Sequence, residues 1–93
     1  MTSNPCEGHR KRLRERYRKS GLKGFQDYEF IELLLTYVIP QRDVKPLAKE
    51  LISKFGGIRG IFDASLEELN SVKGVGERTA ILIKLDIINF QPD

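Results

Sequence analysis

The sequence predicts an all-α domain, a bundle of about five to six short helices, on three observations. No stretch shows sustained apolar–polar alternation with turn signals at strand spacing. Helix-capping and helix-stopping residues recur from end to end. The 93 residues make one domain, able to bury roughly 60–65% of its unfolded surface.

Asn4-Pro5 followed by Glu7 reads as an N-cap, a proline at N1 and a carboxylate at N3. The helix it opens runs to Ser20, with Gly21 placed to end it. Leu13 and Tyr17, four apart, form its expected inward stripe, extended by His9. Asp27 can cap a second helix, YEFIELLLTYV, which is apolar on most sides and stops before Pro40. It is the expected centre of the core. Asp43 can cap a third, VKPLAKELISKF, where Pro46 falls in the tolerant first turn and Gly56 closes the helix. GIRGIFDA, residues 57–64, is short and reads as a connecting turn. Ser65 and Glu68 make the S-x-x-E capping box of LEELNS. After a glycine turn, ERTAILIKLDIINF continues towards Pro92.

A faint internal repeat runs through this order. LAKELI (47–52) superposes on TAILIK (79–84), with Ala48 on Ala80 and Leu51 on Ile83, at an offset of 32. Each half holds a helix, a short turn and a second helix. The turn is IPQRD in the first half and VKGVG in the second. Two helical hairpins with a connector would pack as a pseudo-symmetric bundle.

The 40% hydrophobic and 31% charged fractions are those of a globular chain, and no apolar run approaches the ~18 residues of a membrane span. The N-terminus lacks the apolar segment of a secretory signal. With the single Cys6, which excludes an internal disulfide, this makes the cytoplasm the expected location. The net charge of +3 is unevenly placed. Residues 1–23 carry Arg10, Lys11, Arg12, Arg14, Arg16, Arg18, Lys19 and Lys23 against Glu7 and Glu15, a balance of +6, while residues 24–93 balance at −3. Few carboxylates are interleaved to relieve the repulsion on the basic stretch. An anionic partner is expected there, nucleic acid before an acidic protein or lipid surface.

The stretch VKGVGERTA, 72–80, carries the sharper signal. Leu69 and Val72 finish one helix on its inner face. Val75 can plug the gap between helices while Gly74 and Gly76 bend the chain, and Ala80 is small where the next helix crosses. The pattern h-x-G-h-G-x-x-x-A is the helix-hairpin-helix motif. Its turn leaves backbone N–H groups unpaired at a helix start, with no Cβ to obstruct a phosphate. Lys73 and Arg78 would add charge and the Thr79 hydroxyl a hydrogen bond. Such a site reads backbone rather than bases and weakens with salt. A close helix–helix turn needs the same glycines, so spacing alone leaves both readings open. Two other motifs fail. GVGERT has Thr79 where a dinucleotide fingerprint has its third glycine, and a helix precedes it. GIRG, residues 57–60, lacks the strands of a KH domain.

Catalysis finds no support. One histidine and one cysteine do not assemble a zinc site or a triad, and Cys6 and His9 at i, i+3 sit at a fraying terminus. Asp27, Glu29, Glu32, Asp43, Glu67 and Glu68 are placed like caps and surface residues. The last helix has an inner stripe of Ala80, Ile83 and Ile87 and a second apolar stripe of Ile81, Leu85 and Ile88. The second stripe implies a cover, either a further domain or a second copy of the chain.

From Gly8 to Ala80 the chain resembles the N-terminal region of the bacterial RadC family, through GHRKRLRERY, DYEFIELLL, IPQRDVKPLA and VKGVGERTA. The resemblance implies a tandem helix-hairpin-helix fold over 24–93, behind a basic helix or arm over 1–23, with the intact second hairpin on Lys73 to Thr79. It also implies a following domain of the Jab/MPN metal-hydrolase type, whose glutamate and H-x-H signature has no counterpart here. The chain is therefore expected to be the isolated N-terminal domain, a partner of that absent domain. The family carries a DNA-repair label, and many hairpins of this kind hold a monovalent cation on carbonyls such as those of Val72–Gly76.

The reading is thus a non-catalytic domain, with no metal and no resident cofactor, that contacts the phosphate backbone of duplex or branched DNA. The backbone at Gly74, Val75 and Gly76 would do so with Lys73, Arg78 and Thr79. Arg10, Arg12, Arg14, Arg16 and Arg18 would give a second contact, and Arg42 with Lys45 a third that mirrors the glycine site. The alternative is a protein-interaction or dimerisation module using Ile81, Leu85 and Ile88.

Overall fold

Six helices follow one another: α1 (Pro5–Ser20), α2 (Asp27–Leu35), α3 (Lys45–Phe55), α4 (Ile58–Asp63), α5 (Leu66–Asn70) and α6 (Glu77–Asn89). They are seen in a computed structural model that describes residues 5–40 and 42–89, with side chains over 7–40 and 42–85. Among the described residues there is no strand. The N-cap expected at Asn4, the stop at Pro92 and the side chains of Cys6, Ile87 and Ile88 lie outside them.

The local chemistry sets each boundary. The Gln26 N–H donates to the Glu29 carboxylate at 3.0 Å, so α2 is capped by Gln26, one residue before the expected Asp27. The N-cap of α3 is Val44 rather than Asp43, yet the Asp43 carboxylate accepts the Lys45 N–H at 3.0 Å and still supports the start. Gly56, left-handed at φ 81°, closes α3. At α5 the box is reciprocal: Glu68 N–H donates to Ser65 Oγ at 3.0 Å, and Ser65 N–H to the Glu68 carboxylate at 2.8 Å.

Two further expectations change. GIRGIFDA forms the helix α4, not a bare turn, because Ile61 and Phe62 are buried in the core and reward regular structure. Gly60 permits this by closeness. A Cβ there would stand 1.7 Å from the Phe55 carbonyl oxygen. In α1, Leu13 is buried but Tyr17 is 48% exposed. Helix α1 runs antiparallel to α2, and Arg16 already reaches Glu29 and Gly24 at the beginning of that partner. Tyr17, the next residue along, is left half exposed at that end.

The two hairpins are α2–α3 and α5–α6, with α4 between them against α2, α3 and α6. Helices α3 and α6 begin 32 residues apart, at Lys45 and Glu77, the offset of the repeat. Ala48 and Ala80 are fully buried, as are Leu51 and Ile83. Phe30 and Phe62 join the halves edge to face, with ring centroids 6.1 Å apart.

Candidate nucleic-acid interface

The glycine turn joins α5 to α6. Leu69, Val72 and Val75 are buried beneath it, and the Val75 N–H donates to the Val72 carbonyl at 3.0 Å. Gly74 takes φ 97°, a conformation that disfavours any side chain. Gly76 is different. It has no positive φ, and a Cβ built on it meets nothing within 4 Å. The Gly76 carbonyl accepts the first helical bond of α6, from Ala80 N–H at 3.0 Å. Among the described residues, the N–H groups of Gly76, Glu77, Arg78 and Thr79 find neither a backbone carbonyl nor a capping side chain. Lys73 and Arg78 flank them, exposed and outside every ion pair among the described residues. Thr79 is only 4% exposed, so its side chain is turned inward beside Ala80 and is withdrawn as an outward contact. The exposed Glu77 carboxylate, in the first turn of α6, opposes an incoming anion.

Arg42 does not stand at a separate mirrored site. Its guanidinium lies against the glycine turn, with Nη2 3.3 Å from where a Cβ on Gly74 would be. Arg42 and Gly74 are 32 residues apart, so equivalent points of the two turns touch. A cleft opens there, lined by Arg42, Asp43, Pro46, Leu47, Glu50, Lys73 and Gly74. Lys45 lines a second cavity of about 150 Å³ on the α1 side, with His9, Arg10 and Glu32.

The basic helix divides in two. Arg10 is 5% exposed and donates to the carbonyls of Thr36 (3.0 Å), Ile39 and Arg42 (2.8 Å). It caps the end of the first hairpin's leading helix from inside and is withdrawn as a nucleic-acid contact. Arg16 makes a fork onto Glu29 (2.8 and 3.3 Å) and stacks 4.5 Å above Phe25. The hydrogen bond from Arg16 holds the Glu29 carboxyl below its ordinary range, helped by the Gln26 N–H and opposed by partial burial. Arg14 reaches Glu7 at 3.6 Å. Arg12, Arg18 and Lys19, with Glu15 and the outer side of Arg16, line one shallow groove along α1.

Sequence reasoning missed three internal contacts. Glu32, taken for a surface residue, is 1% exposed and pairs with His9 Nε2 at 2.7 Å. A lone carboxylate inside the apolar run FIELLL was the signal for it. The Arg10 clamp and the Lys84 ammonium, which donates to the Phe62 and Ala64 carbonyls at 2.8 Å each, carry no local signature. On α6, Ile81 is 41% and Leu85 53% exposed, and Leu66 of α5 is exposed as well. Among the described residues no three His, Cys, Asp or Glu side chains gather as a metal site, and no helix is long and apolar enough to cross a membrane.

A family model described as UPF0758 N-terminal matches residues 8–81, the span of the resemblance noted above. A UPF0758 protein of Fusobacterium nucleatum is 44% identical over 85 residues, covering 91% of this chain and 37% of its own length. Another, from Ruegeria pomeroyi, is 48% identical over 80 residues, covering 86% and 35%. One from Rhodobacter capsulatus is 41% identical over 76 residues, covering 82% and 35%. The chain thus spans just over a third of the length of the curated relatives it matches. No solved structure matches it significantly.

Proposed function

The chain belongs to the UPF0758 family, the RadC-like family, and we propose that its N-terminal-type domain binds the phosphate backbone of DNA, without sequence preference and without catalysing a reaction. The observation that carries this is Gly76. A tight turn accounts for Gly74, whose φ demands glycine, whereas neither backbone angle nor crowding requires glycine at 76. Serine or aspartate would cap α6 better there, and the space a side chain would fill is empty. Glycine at that point leaves four helix-start N–H groups open to a phosphate between Lys73 and Arg78. The groove of Arg12, Arg18 and Lys19 adds a less directional electrostatic contact. The biological setting we propose, repair or recombination, rests on the family likeness alone.

The test is a salt titration of binding to labelled duplex, single-stranded and forked DNA, comparing the wild type with Gly76→Ser. Serine supplies a cap, so the variant is expected to fold at least as well by circular dichroism and yet bind several-fold more weakly. A Gly76→Ser variant that binds as tightly as the wild type would return the motif to a plain turn. A second reading is favoured by the exposed Ile81 and Leu85, which form an apolar face suited to a protein partner or a second copy. It predicts a concentration-dependent dimer that Leu85→Glu disperses, seen by sedimentation.

A further inference from the structure

We infer that the turn of the first hairpin supplies a cation to the second, so that Arg42 and Lys73 grip one phosphate between them at the cleft beside Gly74. This deepens the reading above and rests on it. The arrangement begins with Arg10, which is buried and bonds the Arg42 carbonyl at 2.8 Å while also holding those of Thr36 and Ile39. One of the fork's three bonds holds the backbone at Arg42, and the other two hold the chain that leads to it. From that anchored point the Arg42 side chain crosses to the other hairpin and lies on the first glycine of its turn, Gly74. Any side chain at 74 would compete with the guanidinium for the same space.

The guanidinium forms no ion pair among the described residues, although Asp43 is its neighbour in the chain. Asp43 is engaged otherwise, its Oδ1 accepting the Lys45 N–H at 3.0 Å. Lys73 lines the same cleft, and Pro46 and Leu47 give it an apolar wall. Two cations facing a cleft with a partly apolar wall suit an anion presented on a chain, and a phosphodiester has that shape and charge. Two carboxylates oppose them, Asp43, which keeps its charge while accepting the Lys45 N–H, and Glu50, a cleft carboxylate outside every ion pair among the described residues. Glu50 lowers the affinity of the cleft for an anion, which provides a control of opposite sign.

The experiment pairs two probes. A short labelled duplex is titrated at several salt concentrations into the wild type, Arg42→Ala, Lys73→Ala, the double variant and Glu50→Gln. In parallel, inorganic phosphate is titrated while the backbone amides of residues 73–79 are followed by NMR. Both single variants should weaken duplex binding about five- to tenfold, and removing both cations should lower the salt slope by about one ion in all. The double variant should lose less than the product of the two, because one phosphate is shared. Glu50→Gln should bind more tightly. Phosphate should shift the 73–79 amides saturably in the wild type and far more weakly in Arg42→Ala.

Duplex binding that needs Gly76 and Lys73 but ignores Arg42 overturns the shared grip and leaves the backbone reading standing. Saturable, Arg42-dependent phosphate shifts without duplex binding keep the grip and remove DNA as the partner. Strictly multiplicative losses would mean two separate phosphates, and no response to either probe removes both proposals. Arg42→Lys guards against an unfolded alanine variant. It keeps the charge without the fork and should fall between the wild type and Arg42→Ala.

Discussion

The trailing helices of the two hairpins, α3 and α6, start at equivalent positions, and their first turns have different fates. At the start of α3, Val44 is buried, the Asp43 carboxylate occupies the Lys45 N–H, and Pro46 has no N–H to offer. That helix end is half closed by its own residues, with the Val44 and Leu47 N–H groups left without a partner among the described residues. At the start of α6, the corresponding residues are Gly76, Glu77 and Arg78, and four N–H groups lack partners among the described residues. Both hairpins build the core, and the second leaves more unpaired N–H groups at its helix start than the first. Structural equivalence and chemical availability have parted within a single repeat.

The equivalence is the easier half to break. Leu51 and Ile83 are both fully buried at matching positions. Leu51→Ala and Ile83→Ala should each cost about 2–5 kcal/mol in chemical denaturation, the range for emptying a tight core site. If one is nearly silent, the hairpins do not share the core equally. The availability half is tested by exchanging the caps. Val44→Gly should cost about 2 kcal/mol through lost burial, and it should create no DNA affinity because Pro46 and Asp43 still half close that end. The reciprocal Gly76→Val should cost only about 1 kcal/mol, as a poorer N-cap, yet reduce duplex binding at least tenfold. A Val44→Gly chain that gains affinity would show that bulk alone distinguishes the two ends.

Gly74 comes next in size. An alanine there must hold φ near 97° and nudge the Arg42 guanidinium by a few tenths of an ångström, so Gly74→Ala should lower stability by about 1–2 kcal/mol whether or not any ligand binds. Thermal unfolding measures it directly. An unchanged midpoint would mean that the turn relaxes and that its observed geometry is not enforced. Loss of binding in that variant would mix two causes, which is why Gly76 is the better probe.

What was legible in the sequence follows from this division. Local rules are written in adjacent residues, so the capping box at Ser65, the stop at Gly56 and the glycine turn could all be read directly. The offset of 32 was visible because core positions repeat in size and polarity. Contacts that join distant segments were not legible. Arg10, Arg12, Arg14, Arg16 and Arg18 look alike on paper, and only the antiparallel docking of α1 on α2 turns the first inward and ties Arg16 to Glu29. Tyr17 failed for the same reason, since helical periodicity identifies a face but not how far the partner helix extends. The touching of Arg42 and Gly74 could have been guessed from pseudo-symmetry alone, because equivalent turns meet near the axis.

The smallest effect concerns what only the first hairpin possesses, the docked helix α1. Its outer clasp is Arg16 on Glu29, reinforced by the Phe25 ring beneath the guanidinium. Because Arg16 holds the Glu29 carboxyl below its ordinary range, the clasp contributes stability that is complete above the unfolded value of about 4.3 and is lost as pH falls through the lower folded value. Glu29→Gln should therefore destabilise the domain slightly at pH 7, with the difference from the wild type vanishing in strong acid. Paired denaturation curves at the two pH values decide it. A difference that persists in acid would assign the loss to the capping bond from Gln26, which also uses Glu29. The second hairpin, with no α1 of its own, has no counterpart to this acid-sensitive contact. Selective loosening of α1 and α2 in acid, seen by amide exchange while α5 and α6 stay protected, would locate the pH response in the first hairpin's half of the molecule and leave the second half unaltered.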